Sequence, residues 1–279
     1  AVPANGIFAI PAADQTAGLA WLGIICYTLQ IYFDFSAYSD MAIGIGLLFG
    51  IRLPVNFDSP YKSLGIIEFW RRWHITLSRF LRDYLYIQLG GNRKGQSRRY
   101  LNLYMTMVLG GIWHGAGWTF LIWGALHGIY LIINHGWHAT LRMFSLEKTA
   151  NSRPFIFFSW LVTFLAVIMA WVFFRAPNLD TALDILQSMS GQYGWGEVKS
   201  LLDWAVPLGI LLLAFFLPNT QQITSYVGPK GTYGAHLPKR AARVLRWKPS
   251  YPWAIYTGIL LALCLMSLSQ VSEFIYFQF

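Results

Sequence analysis

The run Gly110-Gly111-Ile112-Trp113-His114-Gly115-Ala116-Gly117-Trp118 places one histidine in an apolar, glycine-rich setting between two tryptophans. A neutral imidazole placed this way can take a proton from a hydroxyl or thiol nucleophile. The glycines at 111, 115 and 117 let backbone or ligand approach closely, and Trp113 and Trp118 supply flat apolar walls. The competing reading keeps His114 structural, bonded to a neighbouring carbonyl and holding two helices together. A second histidine, His74, lies in Phe69-Trp70-Arg71-Arg72-Trp73-His74-Ile75-Thr76-Leu77-Ser78. It falls between a basic and an aromatic face, either as a polar group turned to a cavity or as an interfacial histidine. His127 sits mid-way along the next apolar segment, close enough in sequence to line the same cavity as His114. His135 and His138 have the i,i+3 spacing of metal ligands, but no acid or cysteine is near them and no metal site is expected.

Other polar residues have more than one use. Arg71, Arg72, Arg79 and Arg82 form a stripe that suits a phosphate or pyrophosphate, or equally the head groups of anionic lipids. Asp34 and Asp40, between two apolar segments, can neutralise an arginine or cap the helix that follows. Cys26 and Cys264 both lie within apolar stretches and read as small buried hydrophobes. There is no G-x-S-x-G, P-loop or dinucleotide fingerprint, so an enzyme here works without the common soluble signatures.

The elements that must carry these groups are membrane segments. The 279 residues are 56% hydrophobic and 12% charged, about half the charged share of a soluble domain. The net charge is nevertheless +9. A nucleic-acid binder spreads such charge over a wet surface; here it sits in short runs between apolar stretches, which excludes that class. Apolar segments at 18–33, 121–133, 155–174, 205–217 and 253–268 are candidate spans, and 41–51 and 101–112 are shorter or broken by glycine. Residues 66–86 read as one amphipathic helix, with Glu68 and Arg72 placed for an i,i+4 pair. No basic n-region precedes a short apolar run, so residues 1–20 do not read as a signal peptide, and the chain reads as a fragment of a longer product.

Charge sets the orientation. Residues 58–100 carry nine Lys/Arg against three acids, and 230–248 carry six against none, which assigns both stretches to the cytoplasm. The acidic segment 178–203 then lies outside. Segment 155–174 runs outward and 205–217 inward, and the loop 138–153, with Arg142, Lys148 and Arg153, is cytoplasmic. Residues 101–137 therefore begin and end on one side, entering and returning as two pieces broken near 110–117. Thirteen helical residues from Leu101 span roughly 20 Å at about 1.5 Å each, which puts His114 at membrane depth, where an ionisable group is a functional candidate.

Three stretches together resemble a known family: 30–54 (QIYFDFSAYSDMAIGIGLLFGIRLP), 69–91 (FWRRWHITLSRFLRDYLYIQLGG) and 110–128 (GGIWHGAGWTFLIWGALHG). Residues 172–176 (VFFRA) and the tail 274–279 (FIYFQF) add to it. The chain resembles the C-terminal part of membrane-bound O-acyltransferases, most closely the bacterial alginate O-acetylation branch. The resemblance implies an all-α, polytopic integral membrane protein with re-entrant or broken helices around a central tunnel. Residues 1–279 would form one membrane-embedded unit, with a cytoplasmic amphipathic helix and basic loop at 58–100 and the catalytic re-entrant region at 101–137. It implies His114 as the catalytic histidine and His74 as the second polar position, with Trp113, Trp118, His127 and Arg79 as candidate substrate contacts. It also implies a multi-pass protein of the bacterial inner membrane with no tightly bound cofactor and acetyl-CoA as donor substrate. Its partners would be membrane lipid, extracytoplasmic acetyltransferases and, indirectly, a polysaccharide acceptor. D-alanyl transfer toward teichoic acid and O-acetylation of peptidoglycan or cellulose share the same motifs. A transporter would show an inverted repeat, which the sequence lacks; an anchor for partner transferases would not need His114.

Overall fold

A computed structural model describes residues 6–11, 14–196, 201–226, 228 and 245–267. Within them the chain is all-helical. The basic stretch 230–248 falls largely outside the described residues, and the tail 274–279 wholly so.

Helix α1, Ala17–Leu48, joins the two apolar segments that the sequence separates. Its 32 residues reach about 48 Å at about 1.5 Å per residue. Asp34 and Asp40 therefore lie inside one helix and cap nothing. Asp40 instead accepts a hydrogen bond from Gln221, far along the chain. Ala20, Ile24, Tyr27 and Ile31 recur at helical spacing and are buried, whereas Met41, Ile45 and Leu48 near the other end are exposed.

The chain then folds back. The Tyr61 hydroxyl donates to the Thr28 carbonyl of α1 at 2.6 Å, and Tyr61 and Phe57 pack edge-on against Tyr32. The helix expected over 66–86 is in fact two. Helix α2, Ile66–Arg72, and helix α3, Ile75–Phe80, meet at a break where His74 takes a left-handed φ of 40°. A non-glycine residue held there costs of order 1–3 kcal/mol. Neighbouring bonds offset it: Ile75 N–H donates to the Asn56 carbonyl at 2.9 Å, and Asp58 N–H donates to the Arg72 carbonyl at 2.9 Å. The loop 56–58 thus satisfies backbone groups that the two helix ends leave open. A π-helical turn, Leu81–Tyr86, follows. The expected Glu68–Arg72 pair is present at 2.8 Å. The aromatic side divides: Phe69, Trp70, Trp73, Leu77 and Leu81 are buried in the protein, while Phe80 and Tyr84 are exposed.

Helices α4, Gly95–His114, and α5, Trp118–Met143, form a hairpin that turns at residues 115–117, at the end of the 110–117 stretch where the sequence places the break. Their closeness has a cause in the residues. A Cβ added at Gly111 would stand 2.3 Å from the Phe120 carbonyl oxygen, and one at Gly124 would stand 2.5 Å from that of Met107. Only glycine permits this approach. From α5, Asn134 accepts from Ile67 N–H at 3.2 Å, tying α2 to the hairpin.

A short α6, Glu147–Ala150, leads to α7, Arg153–Arg175. Helix α8, Leu179–Met189, starts at Asn178, whose side chain accepts from Thr181 N–H at 2.8 Å. Helix α9, Leu201–Phe216, contains Pro207. Helix α10, Thr220–Thr224, opens on a capping box at Asn219, and α11, Tyr251–Ser267, follows. Among the described residues, α1 and α7 are long and apolar enough to cross a membrane, and α9 and α11 are shorter apolar helices. Where α1, α2, α5 and α7 meet, the core is aromatic: Phe69, Trp73, Trp123 and Trp171 are all buried. Phe69 stacks on Trp73 and Trp123 on Trp171, and aromatic pairs of this kind add about 0.5–1.5 kcal/mol each beyond area burial.

Candidate active site

His114 is the last residue of α4. The Gly115 N–H closes the helix on the Ile112 carbonyl at 3.1 Å, and the chain leaves in extended form toward α5. Three rings surround the half-buried imidazole. Trp113 lies at 4.9 Å between centroids, Trp123 of α5 at 5.3 Å, and Phe174 near the end of α7 at 5.1 Å. All three present an edge-to-face geometry. Three helices therefore position one histidine. The walls differ from those expected. Trp118 is 73% exposed and makes no ring contact with His114, and Trp113 is itself 66% exposed. Trp118 opens α5 after the Gly115–Gly117 turn, and that reversal aims it away.

His74, at the α2–α3 break, packs against α1 and the 56–58 loop. Its ring packs edge-on to Phe35 at 4.8 Å and stacks on Phe57 at 6.4 Å. Its Nδ1 lies 3.1 Å from the Asn56 side-chain oxygen. Between His74 and His114 runs a continuous aromatic wall. Trp73, the neighbour of His74, packs on Trp171 at 5.0 Å; Trp171 stacks on Trp123 at 6.1 Å; Trp123 meets His114.

His127 behaves differently from the cavity-lining residue expected. It has no exposed surface and is enclosed by Phe69, Trp70, Trp123, Tyr130 and Trp171. An indole N–H can only donate, so the bond from Trp70 Nε1 to His127 Nδ1 at 3.2 Å makes Nδ1 the acceptor and leaves the proton on Nε2. Among the described residues that Nε2 has no hydrogen-bond partner. His127 does not touch His114 directly; Trp123 packs against both rings. Arg79 is half-buried on α3. Of the other arginines, Arg72 is held by Glu68 and by the Asp58 carbonyl at 3.1 Å, and Arg82 pairs with its neighbour Asp83 at 2.7 Å. The His135–His138 end of α5 forms no metal cluster among the described residues; Arg99 donates to His135 Nδ1 at 3.3 Å.

Three residues at this site escape the reading of the sequence. Trp123 and Phe174 look like ordinary core aromatics there, and only the meeting of α5 and α7 brings them to His114. Asn56 is buried, at 8% exposure, and its signal is faint: one amide between Val55 and Phe57, eighteen residues before His74. On the far side of Phe57 a cavity of about 970 Å³ opens between α1, α9 and α10, apolar along Leu22, Phe33, Ile210 and Leu213, and polar at Asp40 and Gln221.

The chain is similar to known proteins. The sequence model of the membrane-bound O-acyltransferase family matches residues 12–175. A peptidoglycan O-acetyltransferase of Helicobacter pylori is 55% identical over 63% of this chain and 32% of its own length. A probable alginate O-acetylase of Pseudomonas putida is 42% identical over 100% of this chain and 57% of its own. A teichoic acid D-alanyltransferase of Streptococcus thermophilus is 31% identical over 62% of this chain and 43% of its own. The chain thus spans between about a third and somewhat over half of the length of these relatives. The match of the family model covers both the His74 and the His114 segments, and on that ground the chain belongs to the membrane-bound O-acyltransferase family.

Proposed function

We propose that this protein moves acetyl groups from a cytoplasmic thioester donor, acetyl-CoA, toward an extracellular polysaccharide, with His114 as general base and His74 positioning the acyl group. One observation carries the reading. Two histidines from separate elements, α4 and the α2–α3 break, stand at the two ends of one continuous aromatic wall, Trp73–Trp171–Trp123. In the step proposed, the acceptor O–H proton passes to His114 as the oxygen attacks the thioester carbonyl. The C–S bond then breaks, and the departing sulfur takes that proton to leave as the thiol. The acyl group ends on the acceptor oxygen and the imidazole is neutral again. Acid–base assistance of this kind contributes about 10²–10⁴-fold.

The wider setting belongs to the same proposal. The α4–α5 hairpin is re-entrant and contributes to a tunnel through the bacterial inner membrane, which the protein crosses several times. Residues 58–100 face the cytoplasm, where Arg79 meets the phosphates of the donor. Extracytoplasmic transferases complete delivery to the polymer. Trp113, exposed beside His114, contacts the incoming acyl group. Alginate is the acceptor favoured by the relative that matches this whole chain. Peptidoglycan is the second reading, favoured by the 55% identity of the Helicobacter protein.

The test is His114→Ala in the full-length protein. Acetyl transfer should fall by at least about 10²-fold while membrane insertion persists. Transfer at the original rate would overturn the assignment, and substrate flux or polymer modification that survives the substitution would favour a carrier or an anchor. Mass analysis of the modified polymer separates alginate from peptidoglycan.

A further inference from the structure

The bonds around Asn56 determine which nitrogen of His74 carries the proton. The amide is oriented by a group that can only donate: the backbone N–H of Thr76 lies 3.3 Å from its Oδ1. The Thr76 hydroxyl donates to the same oxygen at 2.9 Å. At the other end, the amide nitrogen donates to the Ser39 hydroxyl of α1 at 3.1 Å. Turning the amide over would set two donors, its own NH₂ and the Thr76 N–H, against each other. So an acceptor oxygen faces His74 Nδ1 at 3.1 Å. Were Nδ1 unprotonated, two lone pairs would meet at that distance in a part-buried site, and neither would be satisfied. The alternative donor to Nδ1, the Thr76 hydroxyl, is farther from it at 3.4 Å and is better placed on Asn56.

We infer that Asn56 is a positioning residue that holds His74 as the Nδ1-protonated tautomer, leaving Nε2 as an acceptor that can hold an O–H or N–H group beside the acyl group but cannot donate to its carbonyl. The geometry agrees at each end. Asn56 also accepts Ile75 N–H through its backbone, so the residue that orients the ring also braces the strained turn that carries it. The ring is held laterally by Phe35 and Phe57. The arrangement is the reverse of that at His127, whose Nδ1 accepts from Trp70 and whose Nε2 carries the proton. Two histidines of one core are thus set in opposite tautomers by one side-chain partner each. The role in chemistry rests on the proposed assignment of His74 to the active site; the tautomer itself does not.

The experiment uses full-length protein labelled with ¹⁵N-histidine in lipid, with the His74 signal assigned by its loss in His74→Asn. Solid-state ¹⁵N spectra at neutral pH should show His74 protonated on Nδ1 and bare on Nε2. In Asn56→Ala the signal should move to the Nε2-protonated form, and acetyl transfer should fall roughly 10–100-fold, the scale on which loss of a partner orienting a histidine is felt at metal sites. Asn56→Asp keeps the acceptor oxygen, and the Ser39 hydroxyl can turn to donate to it. That variant should restore the Nδ1-protonated form and recover at least tenfold of the lost transfer. A wild-type His74 protonated on Nε2 would overturn the inference without any variant being needed. So would an unchanged tautomer in Asn56→Ala. A His74→Ala protein that transfers acetyl at the original rate would instead refute the placing of His74 in the active site, while the spectra still report on Asn56.

Discussion

The seam between α4 and α5 offers a stringent test, because it positions His114 without touching it. Consider Gly111→Ala in the full-length protein. The new Cβ would stand 2.3 Å from the Phe120 carbonyl oxygen and 3.1 Å from the Gly124 Cα, where ordinary contact begins near 3.4 Å. Both obstacles are backbone, so no side chain can swing aside, and the helices must part by roughly 1 Å. A gap of about 0.5–1 Å forfeits a quarter to a half of each van der Waals well along the seam. Overpacking of this kind costs about 1–3 kcal/mol, and an obstacle made of backbone argues for the upper end. Against that, alanine is about 1 kcal/mol better than glycine in a helix. The net loss is about 2 kcal/mol. Gly136, on the same helix α5, supplies the control: nothing lies within 4 Å of its added Cβ. There the propensity gain of about 1 kcal/mol stands alone. The two variants should differ by about 3 kcal/mol, or roughly 6–12 °C in unfolding temperature at about 2–4 °C per kcal/mol for a chain of this size. Tryptophan fluorescence on heating in detergent reads the difference. Acetyl transfer should fall about 10²-fold in Gly111→Ala, since a misplacement of about 1 Å can cost that much. If Gly111→Ala melts with or above Gly136→Ala, the close-packed seam is not what holds the hairpin, and the account of how His114 is positioned fails.

Two further outcomes concern buried polar groups. Trp70→Phe removes the donor to His127 Nδ1 and should cost about 1–3 kcal/mol for the acceptor left unpaired in the core; Trp70→Phe/His127→Phe together should cost less than the sum of the single changes in a denaturant or thermal double-mutant cycle, and strict additivity would refute the coupling. Asn219→Ala removes the cap of α10 along with bonds to the Asp58 side chain at 2.8 Å and the Ser59 hydroxyl at 3.1 Å. It should lower stability by about 0.5–2 kcal/mol, with faster hydrogen exchange at the amides of 220–224; exchange unchanged there would refute the capping role.

The sequence by itself determined the apolar segments that became α1, α5, α7, α9 and α11, and a break near 110–117, which the structure narrows to the turn at 115–117 after His114. Those features rest on local composition: runs of apolar residues, and glycines where the chain reverses. The Glu68–Arg72 pair was legible for the same reason, since its partners are one helical turn apart. The tertiary structure decided the rest. The amphipathic pattern of 66–86 continues smoothly through Trp73 and His74, and nothing in it announces a break; the break is held by Asn56 and Asp58, far away along the chain. Trp123 and Phe174 become walls of His114, and Trp118 does not, because α5 and α7 cross at that point and the hairpin turn aims Trp118 outward. His127 is drawn into the core through its bond to Trp70, a contact between α2 and α5. Periodicity reports which residues share a face of one helix. It carries no information about which other element that face will meet, and the tautomer of a histidine or the wall of a site is set by that meeting.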